Sequence, residues 1–193
     1  MSATLPPGTM PAAEPGLLTA EEFLRRSPDR LEELARGRIV AMSPPNQKHG
    51  RRCLRIAMRL ELAAAPTGLG LATTNDSAVI AERGPDTVRG ADVSFFLKLS
   101  LPGGALPEHG VPEVPPDLIV EVLSPTDRPG EVRRKVNEYL DAGVKLVAVY
   151  DPRRLTMTNH RDDRVEVFAP DDDWTIPELL PGFAVKVREL AEE

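Results

Sequence analysis

Apolar and polar positions along the chain change their period several times, and each change marks an element. The strongest pattern lies in residues 116–151, PDLIVEVLSPTDRPGEVRRKVNEYLDAGVKLVAVYD. Leu118–Leu123 is a near-continuous apolar run, as in a strand buried on both faces. Ser124-Pro125 stops it. Pro129 then stands near the first turn of a helix, where its missing N–H costs nothing. Val132, Val136, Tyr139, Leu140 and Gly143 define the packed face of that helix, and Gly143 closes it. Lys145–Asp151 is a second buried strand. A strand–helix–strand unit of this length predicts a parallel pair with a right-handed crossover.

Upstream, Thr19 stands three residues before Glu22, a capping-box spacing that opens a short helix over Ala20–Arg26. A second short helix is expected over Asp29–Ala35, ended by Gly37, with a first strand over Arg38–Met42. Gln47–Ala65 is the longest helical pattern. Leu54, Ala57, Met58, Glu61 and Leu62 recur there at three- and four-residue spacing, with Cys53 and Leu60 near that face. Leu69–Thr73 and Ala78–Glu82 read as two strands around a turn at Asn75-Asp76. Gly90–Leu97 is a further strand. Its period of two puts Asp92, Ser94 and Phe96 on one face and Val93, Phe95 and Leu97 on the other. Residues 98–115 are rich in Gly and Pro without periodicity and read as a long loop. Thr156–His160 and Arg164–Ala169 read as a hairpin. Trp174–Ile176 and Phe183–Val187 read as edge strands, and Arg188–Glu193 as a short helical end. No internal repeat or linker divides the body. The expectation is one domain over residues 18–193, preceded by a disordered tail over 1–17 that holds Pro6, Pro7, Pro11 and Pro15.

Composition narrows this picture. Of 193 residues, 41% are hydrophobic and 28% charged, which is ordinary for a soluble globular protein. Cys53 is the single cysteine, so neither an internal disulfide nor a Cys-based zinc site is expected to be possible. That usage fits a reducing cytoplasm. No stretch approaches the roughly 18 apolar residues of a membrane span, and the first residues lack the basic and apolar regions of a secretory signal. A net charge of −6 does not favour tight nucleic-acid binding through overall charge. A local basic ridge exists nonetheless: Lys48, Arg51, Arg52, Arg55 and Arg59 gather on the long helix, with 51, 55 and 59 four apart. It reads either as a solvated helix face or as a row of phosphate contacts.

Nothing in folding alone asks for a carboxylate inside the run Ile-Val-Glu-Val-Leu, so Glu121 is the best clue to function. Its charge is costly there unless it is paired or binds a metal. Asp92 is a second acid in a strand with apolar neighbours. Two acids on adjacent strands can share one hard cation, and carboxylate oxygens suit Mg²⁺. Lys135 lies about 40° from Tyr139 and about 60° from Val132 on the helical wheel, at the border of the buried face. Asp117 shares the face of Glu121 but stands ~13 Å from it along the strand, too far to share one ion. Each residue has a plainer reading: a buried ion pair for Glu121, a turn-bonded acid for Asp92, a snorkelling lysine for Lys135. Taken together, two carboxylates, one Mg²⁺ and one lysine make a hydrolytic centre for phosphodiesters.

The central stretch, with TAEEFLR, LEELARGRIVAMSPPNQKHG, ADVSFF and LLPGFAVKV, resembles the bacterial Uma-two family of restriction-endonuclease-like proteins, within the PD-(D/E)XK nuclease superfamily. The likeness runs from about residue 18 to residue 190. It implies an α/β fold, a restriction-endonuclease-like mixed β-sheet flanked by helices, in a single domain. It also implies Mg²⁺- or Mn²⁺-dependent cleavage of DNA, with Asp92, Glu121 and Lys135 as catalytic residues. The metal would be held by Asp92, Glu121 and the main-chain carbonyl of Val122. Two departures matter. The acid that usually follows Arg-Pro here follows Gly90-Ala91, and the lysine of the (D/E)-x-K element is replaced by Leu123, so Lys135 of the next helix takes its role. Glu33, just before the first strand, matches a family glutamate as an accessory metal or water ligand, and His49 matches a family histidine near the site. A homodimer acting on DNA is the expected assembly. The rival reading is a non-catalytic module that binds nucleic acid or protein on the same fold through the Lys48–Arg59 ridge, or a structural oligomer with a vestigial site.

Overall fold

The structure is a computed structural model that describes residues 16–26 and 31–191. A mixed sheet of eight strands forms its centre, in the order β2-β1-β4-β5-β6-β7-β8 with β3 paired to β4. The strands are β1 Glu32–Ala35, β2 Arg38–Ala41, β3 Gly70–Glu82, β4 Thr87–Leu97, β5 Leu118–Val122, β6 Leu146–Asp151, β7 Thr156–His160 and β8 Val165–Phe168. Three helices, α1 Ala20–Leu24, α2 Gln47–Ala64 and α3 Pro129–Asp141, cover it. Only β5 and β6 pair in parallel, joined through α3 as the strand–helix–strand pattern requires. The remaining pairs are antiparallel. A mixed sheet flanked by helices in one domain is therefore what the chain builds. Among the described residues no helix is long and apolar enough to cross a membrane.

The apolar runs of β5 and β6 follow from burial on both faces. On one face Leu118, Val120, Val122, Leu146, Ala148 and Tyr150 pack under Cys53, Ile56, Leu60 and Ala64 of α2. On the other, Ile119, Val147 and Val149 pack under Val136 and Tyr139 of α3. Each fully buried Val, Leu or Ile contributes roughly 1.5–3 kcal/mol of transfer free energy, so this double layer holds the centre of the sheet rigid.

Four sequence expectations are corrected. Glu32–Ala35 is a strand, not a helix; residues 29 and 30 of the expected helix lie outside the described set, as do residues 1–15 of the expected tail. The hairpin β1–β2 turns at Arg36 and Gly37, both left-handed (φ 49° and 76°), with Ala35 opposite Arg38. Tertiary partners override the helix propensity of LEELA: Leu34 packs with Ala20 and Val88 in a small core, and Glu33 is buried among cations. Second, Asn75-Asp76 is not a reversal between two strands. Thr74 pairs with Val93 and Ser77 with Ala91 on the same partner, so the two residues form a bulge inside one long strand. Third, the buried stripe of α2 is His49, Cys53, Ile56, Ala57, Leu60 and Ala64. Leu54, Met58 and Leu62 are exposed. The helix carries two apolar stripes, and the one with small residues lies against the sheet. Fourth, Asp173–Thr175 (β9) and Ala184–Lys186 (β10) form a ribbon of their own rather than extending the sheet. Its Trp174 is buried, donates from Nε1 to Asn159 Oδ1 (2.9 Å) and meets Phe183 edge-on.

The feature that positions the site is a fork. Val88 of β4 pairs with Ile80 of β3 on one edge and Leu34 of β1 on the other. Five residues on, Val93 pairs with Thr74 of β3 and with Val120 of β5. Strands β1 and β5 thus share one edge of β4. Between them, among the described residues, positions 89–92 face no strand on that edge.

Candidate active site

Backbone amides in a gap of this kind need acceptors, and two carboxylates supply them. The Val122 amide donates to Asp92 Oδ2 (2.7 Å). The Gly90 amide donates to Glu33 Oε1 (3.3 Å). The acids of the fork are therefore part of the sheet's hydrogen bonding as well as candidates for chemistry.

Asp92 Oδ2 is held a second time by His49 Nε2 at 3.2 Å. The same nitrogen lies 2.9 Å from Val122 O. Both partners are acceptors, so Nε2 carries the proton. Asn46 caps α2 by accepting from the His49 amide (3.0 Å), which sets the start of the helix and the ring's position. Hydrogen bonding to Asp92, then to Cys53, pushes the His49 pKa up to about 11 despite burial. Cys53 Sγ lies 3.5 Å from His49 Nδ1, and burial pushes the thiol up. Cys53, a single cysteine without a partner thiol, nonetheless stands in a donor group with His49 and Asp92, whose ligand atoms all lie within 4.8 Å of one another. The imidazole sits between the other two and turns a different nitrogen to each.

Glu121 projects from the other side of β5. Its side chain is 12% exposed. Tyr139 of α3 donates to its Oε1 (2.9 Å), and Lys135 Nζ stands 4.0 Å from its Oε2. Burial first, and the Asp92 charge next, push its pKa up to about 8 against the pull of Lys135 and Tyr139. Lys135 bonds more closely to Glu33 Oε1 (2.9 Å). Burial works against the Lys135 charge, but Glu121 and Glu33 outweigh it and raise its pKa. Burial likewise opposes ionisation of Glu33, yet Lys135 and Arg89 hold its carboxyl below the usual range.

Arg89 anchors this arm. It is 2% exposed, bonds Glu33 Oε2 through Nη1 (2.7 Å), and grips Glu138 of α3 through Nε (2.7 Å) and Nη2 (3.0 Å). A single guanidinium thus ties β1, β4 and α3 together beside Lys135. Sequence reasoning missed it because the strand was expected to begin at Gly90, one residue later, whereas β4 begins at Thr87 and takes Arg89 inside. Asp76, at the β3 bulge, was also missed. Partial burial and the facing Asp92 carboxylate raise its pKa.

Of the sequence candidates, Asp92, Glu121, Val122, Lys135, Glu33 and His49 come together at the fork. Glu33 belongs to β1 itself rather than to the segment before it. The basic ridge divides. Arg59 bonds Glu189 Oε2 (3.1 Å) and Arg55 bonds Glu189 O (3.2 Å), fastening the turn at Val187–Leu190 to α2. Lys48 and Arg51 are exposed and Arg52 is half-buried. Asp117 lies apart: it accepts from the Leu97 amide, Ser100 Oγ and Lys145 Nζ and braces the start of the long loop.

The donor set suits a hard divalent cation. Asp92, Glu121 and the Val122 carbonyl offer oxygen ligands of the type Mg²⁺ and Mn²⁺ take. The upward shift of Glu121 marks an acidic pair that Lys135, at 4.0 Å, does not neutralise. A shift of this sign has a measurable result. With a folded pKa of about 8 against 4.5 when unfolded, Glu121 adds stability below pH 4.5 that is lost as pH rises through about 8. The melting temperature of metal-free protein should fall across that window, and Glu121→Gln should flatten the fall relative to wild type. Scanning calorimetry over the window checks this; equal slopes for the two proteins would contradict it.

A mixed sheet with helices on both faces and acids gathered where it forks defines the class of restriction-endonuclease-like nuclease folds. The fold matches a crystal structure described as a "putative nuclease belonging to DUF820" from Anabaena variabilis, with a TM-score of 0.75 and 22% identity over 90% of this chain and 97% of that one. At that identity the likeness is one of fold. No curated protein matches the chain. Residues 20–188 match the family described as "Uma2: Putative restriction endonuclease", and the chain belongs to that family.

Proposed function

We propose that this protein is a Mg²⁺- or Mn²⁺-dependent endonuclease that hydrolyses DNA phosphodiester bonds, acting as a homodimer in the cytoplasm. Asp92, Glu121 and the Val122 carbonyl would hold the metal, with Lys135 beside it. The observation that carries the reading is the mostly buried Glu121, pushed up to about 8 by burial and the Asp92 charge even though Lys135 at 4.0 Å and the Tyr139 hydroxyl at 2.9 Å both oppose the shift. Folding gains nothing from such a pair, whereas a cation site needs it. Membership of the nuclease family supports the same reading.

The bound cation supplies Lewis-acid polarisation of the phosphoryl oxygen and a more acidic water. The chain's own residues do the rest. Lys135 has its proton affinity raised by Glu121 and Glu33, so it stays an ammonium. Its work is to orient the water and offset transition-state charge rather than to take a proton. Glu33, fixed by Arg89, sets where that ammonium stands. His49 holds Asp92 Oδ2, which fixes the roll of the carboxylate. Tyr139 does the same for Glu121 through Oε1.

Cleavage of supercoiled plasmid in Mg²⁺ or Mn²⁺ tests the proposal. Lys135→Ala should lower the rate by about 10²–10³-fold, the cost of one charge-stabilising donor, with the circular dichroism spectrum retained. Undiminished cleavage in that variant would remove Lys135 from the mechanism. DNA approach is expected along the start of α2. Replacing Arg51 and Arg52 together should weaken binding and reduce the salt slope by about one unit per residue. Replacing Arg59, held by Glu189, should change the slope far less. Fluorescence anisotropy across a salt series separates the two. Salt-dependent binding without cleavage in any metal would instead favour a non-catalytic binding module.

A further inference from the structure

We propose that Tyr150, Arg52 and Arg55 form a binding site for one phosphate of the DNA backbone, next to the phosphodiester that is cut. The inference rests on the reading of the protein as acting on DNA and deepens it with a contact residue, Tyr150, that belongs to the core. Its ground is a surplus of hydrogen-bond donors and positive charge over acceptors.

Tyr150 stands near the end of β6, opposite Val122 of β5, and both side chains turn to the α2 side of the sheet. Paired strands lie about 4.8 Å apart, so Tyr150 is the direct neighbour of the residue whose carbonyl lies 2.9 Å from His49 Nε2. Ligands of open α/β sheets gather at this carboxyl end of the parallel strands. Tyr150 is 0% exposed, and its hydroxyl has no hydrogen-bond partner among the described residues. A buried tyrosine usually finds a partner for that group. Left alone, the hydroxyl costs free energy that phenylalanine, with the same ring, would not.

Two guanidiniums act on that hydroxyl. Burial pushes its pKa up to about 12, Arg52 and Arg55 pull against the rise, and Asp151 adds to it. Asp151 is already occupied: its carboxylate accepts from the Arg153 and Arg154 amides and from Arg154 Nη1. Arg52 makes no hydrogen bond or ion pair among the described residues. Arg55 gives Nη1 to the Glu189 carbonyl (3.2 Å), a neutral group that leaves its charge unpaired. Both arginines are half-buried on one flank of α2, about 60° apart on the helical wheel. A hydroxyl and two unneutralised cations thus share one place without a free anion. A phosphate supplies it, with oxygens for the planar guanidiniums and one for Tyr150 Oη beneath them. Arg59, farther along the helix, is paired with Glu189 and takes no part.

The test is fluorescence anisotropy of a labelled duplex over a salt series, without metal so that the DNA stays whole, alongside melting of the free proteins. Tyr150→Phe removes the hydroxyl and keeps the ring. It should weaken DNA binding by about 10-fold, the contribution of one hydrogen bond to a charged group. The salt slope should stay as in wild type, because no charge is lost, and the free-protein melting temperature should hold or rise. Arg52→Gln should weaken binding and lower the salt slope by about one unit. In that background Tyr150→Phe should cost much less than it does alone, because both groups serve one phosphate. The same pattern in a protein that cuts no DNA in any metal would keep this site and remove the nuclease reading. Wild-type affinity in Tyr150→Phe would overturn the site and leave that reading standing. Weakened binding together with a lowered melting temperature would also overturn it, assigning the hydroxyl to the core alone, as would a wild type that does not bind the duplex.

Discussion

Glu121→Gln is expected to cut cleavage by about 10³-fold while leaving the metal-free protein as stable as wild type or more so. The first half follows from the several kcal/mol that metal polarisation contributes, at 1.36 kcal/mol per factor of ten. Glutamine keeps the shape and still accepts from Tyr139, whose bond to Glu121 Oε1 is 2.9 Å. What it removes is the charge that burial and Asp92 already disfavour. Above the window where Glu121 ionises, wild type bears that repulsion and the variant does not. Plasmid cleavage and metal-free melting, measured on the same preparations, check both halves. A variant that is inactive and strongly destabilised would show Glu121 to be a structural ion-pair partner of Lys135 instead.

Arg89→Met should have the largest effect on stability, a loss of about 3–5 kcal/mol, the range for breaking a buried charge cluster from one side. The guanidinium is 2% exposed and stands between Glu33 and Glu138. Methionine fills much of its volume but strands two carboxylates. The expected remedy is specific. Adding Glu33→Gln and Glu138→Gln to Arg89→Met should recover most of the stability, since apolar or neutral replacements of a whole buried cluster are often tolerated. Activity should not return, because Lys135 loses the Glu33 carboxylate charge that holds its ammonium at 2.9 Å, and the neutral amide is free to flip. Urea denaturation of the single and triple variants measures the first part, and plasmid cleavage the second. A single variant within 1 kcal/mol of wild type, against the ~3 kcal/mol lower bound, would mean that the cluster is solvated.

The part of the fold legible in the sequence was the part whose signals agree. In β5, α3 and β6 the unbroken apolar runs, Pro129 and Gly143 all point the same way, and the parallel crossover follows. Glu121 stood out there because its surroundings were unambiguous. Lys135 was placed by the wheel for the same reason. Where local and tertiary preferences conflict, the pattern misleads. Glu32–Ala35 has helix-forming residues, yet Leu34 finds its core only as a strand beside Val88. The turn that makes the hairpin is Arg36-Gly37, without the Asn-Gly or Asp-Gly pair that usually marks one. On α2 the stripe of Leu54, Met58 and Leu62 has the larger side chains, while close packing selects Cys53, Ala57, Leu60 and Ala64. Asp76 was hidden because Asn-Asp reads as a turn. Pairing of both flanks with β4 turns it into a bulge, and pairing is not local information. Arg89 was hidden by a strand boundary: the pattern starts the strand at Gly90, while β4 starts at Thr87 and buries the arginine.

The amide of Val122 also limits what may stand at position 92. Whatever occupies it must accept that bond at the end of the β4–β5 pairing, or the strand keeps an orphan donor. Aspartate and asparagine can do so; alanine cannot. A descendant that abandoned catalysis would still gain from an acceptor there. Loss of function in this lineage is thus expected to show first at Lys135 or Glu121, whose bonds are made between side chains, and last at Asp92, which the backbone itself retains.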